Sequence, residues 1–118
     1  ICHVFGCTVT VSGTGVKVPW PDKKSKTAKK YKNKTYWGYK IYRKKGGRIY
    51  KYGITRAGNS RPKSQLRTCE RYYNRACGYK MIWRGKGWYN ARMWEAMKIT
   101  KYVAHHGHCP PGQLKSCR

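Results

Sequence analysis

At 118 residues the chain fits one domain, large enough to bury a modest core. Its 28 Lys and Arg against three acids give a formal charge of +25, which favours a polyanion partner over an acidophobic or neutral one. No apolar run approaches the ~20 residues of a spanning helix, so a membrane span is excluded, and nucleic acid leads ahead of an anionic membrane surface or an acidic protein.

Residues 1–20 read as short strands. Val9 and Val11 alternate with Thr10 and Ser12, Gly13-Thr14-Gly15 turns the chain, and Val16 and Val18 alternate again. The chain begins at Ile1 without Met and shows no signal peptide, so a processed form or the C-terminal piece of a larger protein is expected. Seven of the thirteen residues 22–34 are Lys, with no apolar period, which predicts a flexible linker or a basic arm that grips phosphates. Residues 1–35 thus form an extension and linker, and residues 36–118 the main domain.

Residues 36–55 predict a β-hairpin, with tyrosines, Ile and Trp in two runs around Gly46-Gly47. A two-residue turn sets Arg43 opposite Tyr50, Ile41 opposite Tyr52 and Tyr39 opposite Ile54. Tyr39, Tyr50 and Tyr52 then share one face with Arg43, and Lys51 turns away. Ser60 and Pro62 open a helix over 61–76, with Leu66, Cys69, Tyr72, Tyr73 and Ala76 on its apolar face and Arg61, Lys63, Arg67, Arg71 and Arg75 on the other. Residues 79–84 alternate as a third strand. Residues 90–104 predict a second helix capped by Asn90, with Met93, Ala96, Met97, Thr100 and Ala104 as its stripe, Ile99 and Val103 widening it, and Gly107 as its stop. The order β-β-α-β-α with an N-terminal β extension gives an α+β fold: a small, mainly antiparallel three-stranded sheet flanked by helices.

The chemistry has few candidates. Asp22 lies in the linker, and Glu70 sits among Arg67 and Arg71 as a helix-surface ion pair. Glu95 lies inside the most apolar helix, where a buried carboxylate needs a partner, a metal or a proton. Phosphodiester hydrolysis requires a ligand for a hard cation, a general base and a fixed cation for the phosphoryl oxygens. Glu95, a hairpin tyrosine and Arg61 could supply these. His105, His106, His108 and Cys109 lack the paired spacing of a tight zinc site and read as a polar helix end. Six cysteines suggest disulfides and export, with Cys2–Cys7 the most local bridge and Cys109 or Cys117 tying down the tail.

Gly38-Tyr39-Lys40-Ile41, then Tyr50-Lys51-Tyr52-Gly53, then Arg61 eight residues past Gly53, then a helical Glu95, resembles the GIY-YIG nuclease family over residues 36 to about 113. Lys51 stands where a strict Tyr-Ile-Gly would carry Tyr, and Gln65 stands where some members carry His or Tyr one turn after the Arg. The resemblance implies an endonuclease. Tyr39, or Tyr50 or Tyr52, would be its general base, with a pKa lowered by Arg61 and Arg43. Arg61 would meet the scissile phosphate, and Glu95 would hold Mg²⁺ or Mn²⁺. Arg43, Lys51, Arg56, Arg67 and Gln113 are expected to contact nucleic acid, with DNA favoured over RNA. Charge and cysteines add the expectation of a monomeric toxin domain, secreted by a bacterium into a target-cell cytoplasm and restrained by an acidic immunity protein. A non-catalytic nucleic-acid binding module, with Glu95 structural, and a cationic membrane-attacking protein are the competing readings.

Overall fold

The structure, a computed structural model, describes residues 2–3, 6–113 and 115–118. Its N-terminal strands β1 (Cys2–His3), β2 (Gly6–Thr10) and β3 (Lys17–Trp20) form an antiparallel sheet in that order. Cys2 pairs with Cys7 across β1 and β2, and Cys7 is disulfide-bonded. The side chain of Cys2, on which the expected Cys2–Cys7 bridge turns, lies outside the described residues.

The lysine-rich stretch contains a short helix, α1 (Lys26–Lys30), where a linker was expected. Ser25 caps it by accepting the Ala28 N–H at 3.1 Å, Ala28 is buried, and Lys29 and Lys30 complement the helix dipole in the last turn. Five residues are too few to show a period, so the cap and one buried Ala decide the matter. Backbone bonds from Gly87 and Trp88 to the carbonyls of Lys34 and Tyr31 hold the segment in place.

Three strands make the main sheet: β4 (Thr35–Arg43), β5 (Ile49–Thr55) and β6 (Cys77–Lys86). All pairs are antiparallel and the order is β5-β4-β6, so β5 is an edge strand. The hairpin register differs from the expected one. Arg43 N–H bonds to Arg48 O, so Lys44–Gly47 form a four-residue loop, with Gly46 and Gly47 both at positive φ. A bulge then leaves Tyr50 as an extra residue between the pairs Tyr42–Ile49 and Ile41–Lys51. Tyr39 therefore faces Gly53 and Ile41 faces Lys51. A shift of one residue sends each side chain of the partner strand to the other face. Lys51 joins the face of Tyr39, and Tyr52 leaves it.

Helix α2 (Ser60–Tyr73) covers that face, burying Tyr39, Ile41 and Tyr50 with Cys69 and Cys77 against Leu66, Tyr73, Tyr79 and Met81. A Cys69–Cys77 disulfide ties α2 to β6 across the turn at Asn74. Closing so short a loop contributes about 2–3 kcal/mol in the chain-entropy model. Glu70 does not pair with Arg67 or Arg71; its Oε2 accepts the Cys77 N–H at 3.3 Å.

Helix α3 (Trp88–His106) lies between the two sheets. Toward the main sheet, Trp94 packs over Gly38, stacks on Trp83 with centroids 5.9 Å apart and meets Tyr52 edge-on at 6.2 Å. Toward the N-terminal sheet, Ala96, Ile99 and Val103 share a core with Val11, Val18 and Cys117. Of the expected apolar face, Ala96, Ile99 and Val103 are buried, but Met97 is 41% exposed and Ala104 is exposed, because the buried face also runs through Ala91 and Glu95. Asn90 does not cap α3. The cap is Gly87, and Asn90 Nδ2 donates to Lys86 O. Gly107 ends the helix at φ 79°, donating its N–H to Val103 O. The tail returns through the Cys109–Cys117 disulfide, and Arg118 and Lys17 exchange two backbone hydrogen bonds. Among the described residues no helix is long and apolar enough to cross a membrane.

Candidate functional site

At the edge of β5, where the sheet meets α2, α3 and the tail, lies an open pocket of about 370 Å³. Tyr39, Lys51, Arg61, Arg92, Glu95 and Gln113 line it, with Gly53, Gly112, Lys115 and Ser116. Three features position Tyr39. Its strand is central and its ring is fully buried. Gly53, opposite it, has no side chain, and a Cβ there would collide with the ring and hydroxyl of Tyr39. Its hydroxyl donates to Gln65 Oε1 at 2.7 Å. Gln65 stands one turn after Arg61 on α2, so the residue found in place of the expected His or Tyr touches the tyrosine.

Burial raises the Tyr39 pKa above its ordinary ~10, against opposing pulls from the Arg61 charge, an Arg61 hydrogen bond and Gln65. The expectation that neighbouring cations would lower it is therefore corrected: desolvation outweighs them. Burial also lowers the Lys51 pKa, and the like charge of Arg61 adds to this. Both shifts bring the two groups toward their uncharged forms, phenol and amine.

Glu95 is 5% exposed and pairs with Arg92 one helical turn before it, Arg92 Nη1 donating to Glu95 Oε1. Burial lowers the Arg92 pKa. Among the described residues this is the single ion pair. Arg92 was missed by the sequence reading, although its i,i+3 spacing to the one buried acid was available as a signal. The pair leaves Glu95 Oε2 as the carboxylate oxygen open to a further cation. Among the described residues no three His, Cys, Asp or Glu side chains gather into a metal-binding group. Cys109 is spent in its disulfide, which removes it from the histidine cluster.

The other expected site residues lie elsewhere. Tyr50 is buried between β5 and α2, with its ring 5.7 Å from Tyr72 and 6.1 Å from Tyr73. Tyr52 packs against Trp94 and the core of α3. Neither lines the pocket. The bulge at Tyr50 is the physical reason, since it turns Lys51 inward in their stead. Gln113 lines the pocket, but its amide is occupied as structure: Oε1 accepts the Tyr52 N–H at 2.7 Å, and Nε2 donates to Tyr52 O and Ser116 Oγ. With Gly112 N–H bonded to Tyr50 O, the tail caps the open edge of β5 as a partial strand would. Arg56 stacks on Tyr31 at 4.5 Å and lines a neighbouring depression with Arg61 and Tyr36. Arg67 is exposed on α2. Arg43 sits at the far end of the hairpin, 5.6 Å from the Tyr73 ring, with Nε donating to Lys45 O. No family model matches this chain, and neither a curated protein nor a solved structure does.

Proposed function

We propose that the protein is a metal-dependent endonuclease of GIY-YIG type, cleaving phosphodiester bonds of DNA, with RNA as the alternative substrate. The observation that carries this reading is the pocket at the β5 edge, where a phenol, Lys51, Arg61 and the one buried carboxylate meet in a chain of charge +25. The order Tyr39, Gly53, Arg61, Glu95 along the chain resembles the family's motif.

In this reading the Tyr39 hydroxyl, once ionised, takes the proton of the attacking water. The oxygen of that water bonds to phosphorus as the bond to the leaving sugar oxygen breaks. Rotation of the Gln65 amide would present Nε2 to the phenolate in place of Oε1, which fits its lowering pull on the Tyr39 pKa. Arg61 balances the charge that grows on the phosphoryl oxygens. Glu95 suits a single Mg²⁺ or Mn²⁺, because such ions take one or two carboxylates and fill the rest with water and phosphate. That ion would supply Lewis-acid stabilisation of the phosphoryl group. Arg92 holds Oε1 and so fixes the carboxylate.

The test is nicking of supercoiled plasmid, and of structured RNA, with Mg²⁺ or EDTA. Wild type should cut only with the metal. Glu95→Gln and Arg61→Ala should bind nucleic acid but cut roughly 10²-fold or more slowly, the scale of losing one preorganised group. Cutting by both variants at the wild-type rate would sink the assignment. A non-catalytic binding module is the second reading, favoured by the ion pair that gives Glu95 a structural partner. Export as a toxin domain, and an acidic immunity protein that covers the basic cleft, extend the main reading. Two internal disulfides fit an oxidising compartment.

A further inference from the structure

A second cavity, of about 630 Å³, opens at the other end of β5. Its walls are Tyr72, Tyr73 and Tyr102 from α2 and α3, with His106, His108 and Arg48. The rings fall into two groups: Tyr72 and Tyr73 meet edge-on at 4.9 Å, and Tyr102 lies 4.2 Å from His106 and 5.8 Å from His108. Core packing does not account for it, because Tyr72 is 60% exposed and His106 and His108 are exposed. Arg48 acts electrostatically on Tyr73, Tyr102 and His106, and Arg43 lies against Tyr73. Local desolvation beside the Tyr102 ring and the charges of His105, His108 and Arg48 lower the His106 pKa, which favours its neutral, stacking form.

We propose that this cavity seats an unpaired nucleobase of the strand whose phosphate occupies the pocket of Tyr39 and Glu95. Aromatic walls bind cations or π-faces. A cationic ligand is disfavoured by Arg48, Arg43 and a charge of +25, whereas a base carried on a phosphate backbone satisfies both rings and charge. A paired base keeps its faces stacked inside the duplex, so the occupant is single-stranded, looped out or flipped. The two cavities adjoin. Ile49 lines this one, and Lys51 and Gly53 the other, a separation of ~7–13 Å along β5. Pro111 and Gly112 likewise line one each. A few nucleotides of one strand span that distance. The subsite rests on the nucleic-acid reading above, and it specifies substrate form: a nuclease or binder that prefers unpaired segments.

The probe is binding of single-stranded octanucleotides, DNA and RNA, to the full chain in EDTA at one fixed salt concentration. An abasic strand with the same phosphates is the reference. Base–aromatic stacking predicts that the abasic strand binds about fivefold to a hundredfold more weakly. Tyr72→Ala and His106→Ala, both at exposed positions, should erase most of that difference, and Tyr72→Phe should keep it. The DNA and RNA arms identify which strand benefits. Equal binding of abasic and base-bearing strands, or no effect of Tyr72→Ala, would overturn the subsite. So would a loss in Tyr72→Phe equal to that in Tyr72→Ala, which would assign the contact to the hydroxyl. Failure of the nuclease reading is seen separately, as base-dependent binding without cleavage in Mg²⁺.

Discussion

Tyr39 is at once a core residue and the proposed general base. Its ring is fully buried, yet its hydroxyl bonds to Gln65 beside Arg61 at the edge of an open pocket. Burial raises its pKa, so at neutral pH the phenolate is a minor species. As general base, Tyr39 must lose its proton first. The phenolate fraction rises tenfold per pH unit until the raised pKa is reached. Cleavage measured as kcat/KM should therefore climb from pH 7 without a plateau until above ~10. A plateau below about pH 9 would pass the role to Lys51, whose pKa burial moves the opposite way. Glu95 illustrates a different balance. Its partner Arg92 satisfies the charge that burial would otherwise penalise, so a carboxylate can persist among Lys51, Arg61 and Lys115.

At the scale of elements, the hairpin and the tail build the site together. The bulge at Tyr50 changes the face of Lys51, and the tail closes the β5 edge through Gly112 and Gln113. Gly53 is a tight point, since any Cβ there would push Tyr39 aside. Gly53→Ala should cost about 1–3 kcal/mol by overpacking, read from the urea midpoint. It should slow cleavage by ~10²-fold or more, the scale expected from a 1 Å misplacement. A variant that keeps wild-type cleavage would show that the position of the Tyr39 hydroxyl does not matter to the reaction.

At the scale of the molecule, charge governs association. With 28 basic residues and three acids, the proposed affinity for nucleic acid would come mostly from counterion release. If six to ten phosphates are contacted, affinity should fall ~10³–10⁵-fold between about 50 and 200 mM salt, measured by fluorescence anisotropy on a mixed-sequence strand. A nearly flat salt response would contradict a polyanion partner. The same excess of charge opposes compaction. Helices α2 and α3, the two sheets packed through α3 and the Cys69–Cys77 and Cys109–Cys117 disulfides hold the chain against it.

Local sequence was enough for what depends on local pattern and composition. Alternating aromatics gave the main strands, Pro62 and Gly107 bounded the helices, and the α+β order followed. Glu95 stood out because a lone acid in an apolar helix is costly wherever that helix packs. Tertiary structure decided what depends on register and distant contact. A four-residue loop and one extra residue in β5 removed Tyr50 and Tyr52 from the pocket and brought in Lys51. No periodicity reports a bulge, because it is the balance of cross-strand pairing that creates it. Gln65 as partner of Tyr39 and Gln113 as the cap of β5 were equally invisible. The hydrogen bonds of Gln65 and Gln113 join residues 26 and 61 positions apart. Only the packed chain brings such residues within reach.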